Sequence, residues 1–333
     1  MSDTPFFTVV MPTYNSEKTI EKSLASIAQQ NFDLSLVEVL VIDGGSTDKT
    51  REITKKYGAT VLENPKRLPE YAKLIGFNAA KGEFVVKMDS DEEFCHINIL
   101  KNRYELIKKE NLNCLIANEM IPVSKGFAAK YLNYCGDPFS WFVYQFKKTQ
   151  KETYSNNISK NNKDILVFKD GDIYPIGDGG TTTVSLKYAK EHFTEKFDQS
   201  SFASSIFTDI ILKEKCCGCI EDDKVNHYVN AGFKTYLSKL RFRVINNLFH
   251  PQDSGFSTRE GANSALKKRK ILFMLYALSV VFPLIDSVKL AVEYKDIKMA
   301  AHIFYLYYVC VYIAYCLALK VLGKSKINEN YGK

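Results

Sequence analysis

The sequence lacks several features that would each point to a different class of protein. The first residues, Met1–Pro5, lead at once into an apolar run with no basic region before it, so no secretory signal peptide is expected. No Gly-Lys-Ser or Gly-Lys-Thr run follows a predicted strand, which excludes a P-loop NTPase. The glycine-rich phosphate loop with a following arginine that is typical of nucleotidyltransferases is also missing near the first strand.

The chain has a net charge of +7 over 333 residues, but its basic residues form no stripe of the kind that binds nucleic acid. We therefore expect no nucleic-acid partner. One compact basic cluster, Lys267–Lys270, directly precedes an apolar segment, and this placement favours an anionic membrane surface. The eight cysteines provide no second Cys-x-x-Cys pair beside Cys216–Cys219. A zinc site completed by His192 or His227 is therefore less favoured than reduced thiols in the cytosol.

Three apolar runs rich in β-branched or aromatic residues end in polar turn residues, and a helical pattern follows each of them. They are Phe6–Asn15, Val39–Asp48 and Phe84–Asp91. Such alternation predicts parallel strands with crossover helices, and hence an α/β fold with a mostly parallel sheet flanked by helices. In open sheets of this kind ligands bind at the carboxyl edge, where the polar residues of all three runs would meet.

The third run ends in two aspartates, Asp89 and Asp91, on either side of Ser90. Carboxylate oxygens suit Mg²⁺ or Mn²⁺ bound beside a substrate diphosphate. A second such pair, Asp170 and Asp172, has a glycine at its centre and lies between apolar runs, which predicts a hairpin turn. We therefore assign the metal site to the first pair.

Two further groups carry chemistry. Asp43 is followed by Gly44 and Gly45, which predicts either an ordinary strand-to-helix turn or, beside a second carboxylate site, a nucleotide pocket. The acidic run Glu221–Asp223 precedes a pattern that predicts a helix, so capping is its ordinary interpretation. A carboxylate opposite a donor site would also suit a general base for an acceptor hydroxyl.

The order and spacing of these motifs resemble the family-2 glycosyltransferases of the GT-A (Rossmann-like) fold over roughly residues 6–240. The residues that carry the resemblance are Val10–Asn15 with Glu17, Val41–Asp48, Asn78–Phe84 leading into Met88–Asp91, the glycine cluster Gly177–Gly180, and Glu221–Asp223 with Ala231–Lys234.

The resemblance implies inverting, metal-dependent transfer of a sugar from a nucleotide-sugar donor, with a UDP-sugar favoured. It implies a nucleotide-sugar site at Pro12, Thr13, Tyr14, Glu17, Asp43, Gly44, Lys73, Asp89 and Ser90. It implies that Asp91, with Asp89, ligates Mn²⁺ or Mg²⁺. Asp222 is the favoured catalytic base and Glu221 the alternative, since counting back from Gly232 leaves the register open by one residue. The sugar and acceptor pocket would contain Gly179, Gly180 and Thr181.

The acceptor remains open between two lipid-associated classes. A lipid-linked or cell-surface glycan presents a hydroxyl, whereas a polyprenyl-phosphate sugar synthase transfers to a phosphate that is already anionic and needs no base. A catalytically inactive membrane-bound binding module is the alternative outside the enzymes. The presence of both carboxylate motifs argues against it.

Two apolar runs near the C-terminus, residues 271–285 and 300–319, predict an apolar helical hairpin on the cell membrane. Basic flanks at both ends place those ends, and the catalytic part, on the cytoplasmic face. The first run is too short to span comfortably and predicts a re-entrant or interfacial helix; a soluble helical hairpin is the alternative. The aromatic segment Lys130–Lys147 predicts either a buried helix pair or a surface that meets lipid. We expect a nucleotide-sugar-binding part over residues 1–117, an acceptor-binding part over 118–262 and membrane-associated helices over 263–333.

Overall fold

The computed structural model of the chain describes residues 4–169, 181–198, 202–229, 231–249 and 264–323. The chain divides into two compact units: unit 1 is Met1–Ile121 with Thr149–Tyr228, and unit 2 is Pro122–Lys148 with Val229–Lys333. This division does not follow the three segments expected from the sequence. Residues 122–148 interrupt the chain of unit 1. They belong to unit 2 because their aromatic side chains pack with the C-terminal helices.

The strands are β1 (Phe7–Thr13), β2 (Val37–Asp43), β3 (Thr60–Glu63), β4 (Phe84–Lys87), β5 (Glu92–Phe94), β6 (Cys114–Ile116), β7 (Glu119–Pro122), β8 (Ile158–Asn162), β9 (Ile165–Phe168), β10 (Thr182–Ser185), β11 (Cys216–Gly218) and β12 (Lys224–His227). The helices are α1 (Ile20–Ala28), α2 (Thr50–Lys56), α3 (Pro69–Ala79), α4 (Ile99–Glu110), α5 (Ala129–Cys135), α6 (Pro138–Val143), α7 (Gln150–Tyr154), α8 (Leu186–His192), α9 (Phe202–Glu214), α10 (Phe233–Phe249), α11 (Ser264–Ser279), α12 (Val281–Glu293) and α13 (His302–Val321).

The main sheet of unit 1 has nine strands in the order β3-β2-β1-β4-β10-β6-β11-β9-β8. Its first four strands are parallel, as the alternation of strands and helices predicts, and the α/β fold is confirmed. β10 runs antiparallel to both of its neighbours, β4 and β6, so the sheet as a whole is mixed. β10 is distant in sequence from both neighbours, so no short crossover connection fixes its direction.

The central parallel strands β1 and β4 are buried on both faces, which explains their largely apolar sequences. All seven residues of β1 are buried. Helix α3 packs directly on β1 through Gly76, where an added Cβ would lie 2.2 Å from Cγ1 of Val10. Pro69 occupies the first turn of α3, where its missing N–H is tolerated. The close approach holds α3, and with it Lys73, beside the carboxyl end of the sheet.

A second sheet of three strands has the order β5-β12-β7. β12 pairs antiparallel with β5, so that His227 lies opposite Glu92. The helix predicted after the acidic run Glu221–Asp223 is therefore wrong: the residues form a strand. The apolar spacing of Val225 and Val229 fits a helix, but the pairing with β5 decides the conformation, and local pattern does not report such a partner.

Unit 2 is helical among the described residues, apart from the end of β7. The aromatic segment Lys130–Lys147, for which the sequence left a buried helix pair and a lipid-facing surface open, forms α5 and α6, which are separated by Gly136 with a φ of +68°. α10 and α13 pack side by side in the core of this unit, with Tyr236 and Tyr305 at a ring-centroid distance of 4.8 Å.

The two apolar runs near the C-terminus take different forms. One described helix, Ile297–Val321, is long and apolar enough to cross a membrane. The first run is broken: the segments Lys268–Ser279 and Val281–Glu293 meet at an angle of 92° and would add a second span only if taken together.

Candidate active site

Polar residues from three parallel strands meet at one edge of the main sheet in unit 1. β1 lies between β2 and β4, and Thr13 at the end of β1 pairs with Asp43 at the end of β2. On the other side, Met88 N donates to Val10 O at 3.2 Å, so the residues after β4 leave the sheet at the same edge. There Ser90 Oγ lies 2.9 Å from Ser16 Oγ. The structure thus brings the predicted first-strand, Asp43 and Asp89–Asp91 motifs to a common edge.

Asp43 is fully buried and organises the loop that follows β2. Its Oδ2 accepts hydrogen bonds from Gly45 N at 3.2 Å, Ser46 N at 3.0 Å and Arg51 Nε at 2.5 Å, and its Oδ1 accepts from the Ser46 hydroxyl. Hydrogen bonds to Glu63 and to Asp43 raise the pKa of the Arg51 guanidinium. A nucleobase N–H that approached Asp43 in the predicted nucleotide pocket would have to compete with these four donors.

The loop after β1 is held against the loop after β2. Asn15 has a φ of +48°, and its Oδ1 accepts from Thr47 N at 2.9 Å. Glu17 Oε2 accepts from Lys49 N at 3.2 Å, and Gly44 N donates to Thr13 O at 2.9 Å. Glu17 therefore holds the edge of the predicted nucleotide site in shape.

The innermost part of this edge contains an unsatisfied polar atom. Pro12 and Thr13 are buried, and Thr13 Oγ1 has no hydrogen-bond partner among the described residues. Tyr14 is 44% exposed, and the Arg67 guanidinium lies 5.5 Å from its ring centroid. Arg67 has a φ of +56° and approaches Gly45, and no motif in the sequence indicates its presence here. A buried hydroxyl without a partner beside an exposed aromatic ring and a cation suits a polar planar ligand.

The metal-site aspartates are accessible, in contrast to their neighbour Glu92. The side chain of Asp89 is 52% exposed, with Lys73 Nζ at 3.9 Å from its Oδ1, and that of Asp91 is 34% exposed. Glu92 is buried, and its Oε2 accepts from Asp89 N at 2.9 Å. Burial, reinforced by the charges of Asp89 and Asp91, raises the pKa of Glu92 well above its usual range. Glu92 thus stabilises the conformation of the loop through a buried hydrogen bond to its backbone.

His227, at the end of β12, faces the metal-site loop. Its Nε2 lies 3.5 Å from Asp91 Oδ2, and Asp91 O accepts from Tyr228 N at 2.8 Å. A carboxylate oxygen and an imidazole nitrogen at this separation fit one divalent cation, whose bonds to such ligands are about 2.0–2.2 Å long. The described residues contain no group of three or more His, Cys, Asp or Glu side chains placed to hold a metal. In the sequence, His227 stands out only as a possible zinc ligand beside Cys216–Cys219.

The acidic run lies away from Asp91. Asp222 is 78% exposed at its side chain, and its carbonyl oxygen is 3.0 Å from His96 Nε2. It precedes β12, whereas His227 ends that strand, so the length of β12, three steps of about 3.3 Å or roughly 10 Å, lies between them. The structure does not bring the predicted catalytic base to the predicted metal site.

The other two acidic residues are held by cations. Glu221 Oε2 lies 2.7 Å from Lys151 Nζ, and this hydrogen bond lowers the pKa of the carboxyl. Asp223 is buried and accepts from Arg103 Nε at 2.6 Å and Nη2 at 2.8 Å. Thr181 is also fully buried, and its hydroxyl accepts from Arg103 Nη2 at 2.7 Å. It therefore supports the buried ion pair and does not line an open pocket, while Gly179 and Gly180 lie outside the described residues.

The family model described as Glycosyl transferase family 2 matches residues 8–172 of the chain. Poly(ribitol-phosphate) beta-N-acetylglucosaminyltransferase TarS of Staphylococcus aureus is 35% identical over 116 residues, which are 33% of this chain and 20% of TarS. GalNAc(5)-diNAcBac-PP-undecaprenol beta-1,3-glucosyltransferase of Campylobacter jejuni is 29% identical over 179 residues, 46% of this chain and 57% of that protein. The chain thus matches between a fifth and somewhat more than half the length of these relatives.

Solved structures show the same fold. The mannosyltransferase PcManGT from Pyrobaculum calidifontis, in complex with GDP-Man and Mn²⁺, gives a TM-score of 0.53 at 18% identity, covering 94% of this chain and 88% of that one. S. aureus TarS 1–349 in complex with UDP-GlcNAc gives 0.51 at 17% identity, covering 98% and 95%.

Proposed function

Because the chain carries a family 2 glycosyl transferase domain, we propose that it transfers a sugar, with inversion, from a nucleotide-sugar donor to a lipid-linked or cell-surface glycan. A UDP-sugar is the favoured donor, since TarS binds UDP-GlcNAc. A relative that acts on an undecaprenyl diphosphate-linked glycan supports a lipid-linked acceptor. Such an acceptor in turn calls for a catalytic part at the cytoplasmic face of a membrane.

The observation that carries the proposal is the meeting of Thr13, Asp43 and Asp91 at one sheet edge. The buried, unpartnered hydroxyl of Thr13 and the exposed ring of Tyr14 would hold the nucleoside. Lys73, 3.9 Å from Asp89, would neutralise part of the diphosphate charge. Ser90 would fix the loop against the first strand through Ser16.

Asp91 and His227 would hold the divalent cation, with Asp89 beside them. Two protein ligands leave coordination positions for diphosphate oxygens and water, which is how Mg²⁺ and Mn²⁺ are commonly bound beside nucleotides. When bound, the cation would stabilise the charge that develops on the leaving nucleoside diphosphate. PcManGT was solved with Mn²⁺, which supports Mn²⁺ for this chain.

A second acceptor class is favoured by the position of Asp222. A hydroxyl acceptor needs a general base within hydrogen-bond reach, and Asp222 lies at the far end of β12 from His227. A lipid phosphate is already a nucleophilic anion and needs no such base. A polyprenyl-phosphate sugar synthase therefore stands beside glycan extension as the second candidate.

The donor site is tested by thermal shift with UDP-, GDP- and dTDP-sugars, with and without Mn²⁺. A ligand that binds only the folded chain raises the melting temperature, and we expect the largest rise with a UDP-sugar and Mn²⁺ together. Asp91→Asn and His227→Gln should each lose the Mn²⁺-dependent part of the rise. Asp198→Asn, which changes an exposed carboxylate of the same unit, is the matched control. A Mn²⁺-dependent rise that survives Asp91→Asn would contradict the site.

A further inference from the structure

Unit 2 has a large uncovered apolar surface on its last three helices. Of the 26 exposed large hydrophobic side chains among the described residues, 19 lie between Ile271 and Leu322. They are concentrated where α11 meets α12, with Leu278 at 75% and Phe282 at 61% exposure. We call residues 278–285 the elbow. Continuous apolar surface of this kind marks a binding face.

The elbow turns sharply because the helix is broken at Val280. Val280 has a φ of +56°, which is rare for a β-branched residue, and Pro283 lies in the first turn of α12. The uncharged residues 271–279 of α11 extend roughly 14 Å at about 1.5 Å per residue. The hydrocarbon core of a bilayer is about 30 Å thick. An apolar segment of this length that bends by 92° at the elbow is too short to cross and fits within one leaflet.

α13 is long enough to cross a bilayer, but a charged helix packs along it. α10 contacts α13 near its start, through Tyr236 and Tyr305, and near its end, where Lys320 Nζ lies 5.3 Å from the ring of Phe249. α10 carries four basic side chains, Lys234, Lys239, Arg241 and Arg243. Charged side chains are costly in hydrocarbon, so α13 cannot cross without burying this charge. Its exposed face, including Val311, is therefore suited to lie along the surface of the bilayer.

The charged residues beside the apolar surface indicate the headgroup charge of the membrane that it would bind. Lys268, Arg269 and Lys270 directly precede the uncharged part of α11, and Lys320 lies at the end of α13. No acidic residue occurs from Ser264 to Ile285. Basic residues beside an apolar insertion favour anionic headgroups.

From these observations we infer that unit 2 is a monotopic anchor: the elbow inserts into one leaflet of an anionic bilayer, α13 lies along its surface, and no helix crosses. This deepens the membrane association included in the proposed function. It does not depend on sugar transfer, because vesicle binding and turnover are measured separately.

Flotation of the full chain with vesicles tests the anchor. We expect binding to phosphatidylcholine–phosphatidylglycerol vesicles and weaker binding to phosphatidylcholine alone. The double variant Leu278→Glu/Phe282→Glu should reduce binding by roughly tenfold or more, and Lys268→Glu/Lys270→Glu should abolish the preference for anionic vesicles. Ile97→Glu changes a residue of unit 1 that is 52% exposed and is the matched control. Unchanged flotation of the elbow variant overturns the inference. Self-association that the elbow variant relieves, without vesicle binding, assigns the surface to a second copy and also overturns it.

The topology is tested with the lysines of the chain itself. Lys289 is 69% exposed at its side chain, and it lies between the elbow and α13. In a monotopic anchor it stays on the cytoplasmic side, so a membrane-impermeant amine reagent should label it in inverted membrane vesicles. Labelling only in right-side-out vesicles would show that the helices cross the membrane and would overturn the inference.

Discussion

Arg103 shows at the scale of one residue why part of the site could not be predicted. Its guanidinium is fully buried and pairs with Asp223, 120 positions away in the chain. The sequence places Arg103 in an ordinary amphipathic helix and Asp223 in an acidic run, and neither pattern refers to the other. Removing one partner of such a pair would leave an uncompensated buried charge at a cost of about 3–5 kcal/mol. Asp223 is thus a structural group in a run that resembles a catalytic motif.

His302 is a second buried group, and it makes the stability of unit 2 depend on pH. Its Nδ1 lies 2.5 Å from Tyr131 Oη and its Nε2 lies 3.0 Å from Tyr276 Oη. A neutral imidazole can donate to one hydroxyl and accept from the other. Burial lowers the pKa of His302 to about 3. The unfolded chain therefore binds one more proton than the folded chain between about pH 3 and its unperturbed value of about 6.5.

We expect this proton to reduce the free energy of unfolding of unit 2 as the pH falls. From pH 7 to pH 5 the loss should be about 2 kcal/mol, and it should be absent from His302→Gln, which keeps a neutral donor and acceptor. Fluorescence of Trp141, the single tryptophan, reports on this region because its ring centroid lies 4.7 Å from that of His302. Denaturant unfolding of the wild type and of His302→Gln at pH 7 and pH 5 measures the free energy of unfolding of each. An equal pH dependence in wild type and variant would refute the assignment.

At the scale of elements, the strand–helix alternation allowed the parallel part of the main sheet to be predicted from sequence. The turn residues that end β1, β2 and β4 lie at the carboxyl edge of the sheet, where ligands bind. The sequence pattern therefore predicts both the strands and the position of these polar residues. β12 has no such local signal. Its four residues form a strand because β5 and β7 lie on either side of them, so Asp222 lies before the far end of this strand and not at the start of a helix.

The position of Asp222 leads to a testable expectation about catalysis. We expect Asp222→Asn to retain turnover within about threefold, since a general base contributes typically 10²–10⁴-fold only when it reaches the proton that it removes. Asp91→Asn, in contrast, should lose most of the activity. The activity of both variants is measured as the release of nucleoside diphosphate in the presence of a glycan-lipid or a polyprenyl-phosphate acceptor. Loss of turnover in Asp222→Asn with a hydroxyl acceptor, while nucleotide binding survives, would restore its role as the base.

At the scale of the whole molecule, two chain segments that are distant in sequence build each unit. The core of unit 2 joins Tyr131 of α5 to Tyr305 and Val309 of α13. A boundary near residue 262, which composition suggests because the apolar runs begin soon afterwards, would divide this core. Composition along the chain cannot reveal that residues 122–148 belong with the last helices, because their contacts with those helices are made only in the folded unit.

We therefore expect a chain that ends at residue 263 to lose the fold of unit 2. It would lack Tyr305 and Val309, which are buried against α5 and α10, and large buried side chains typically contribute 2–5 kcal/mol each. Limited trypsin digestion should then cleave after Lys130, which lies within helix α5 of the full chain. A chain that ends at Gly323 removes only residues beyond α13 and serves as the control. Equal protease resistance of the two truncated chains would show that the core does not need its last helices.

Residues 122–148 interrupt the chain of unit 1 but belong to unit 2. The two segments of unit 2 are therefore synthesised at different times. The aromatic side chains of α5 and α6 leave the exit tunnel well before α13 is translated, more than 150 residues later. At about 5–20 residues per second this leaves them without their partners for on the order of 10–30 s. During that interval the aromatic side chains of Tyr131 and Trp141 lack their partners on α13, and the core of unit 2 is completed only after α13 has been synthesised.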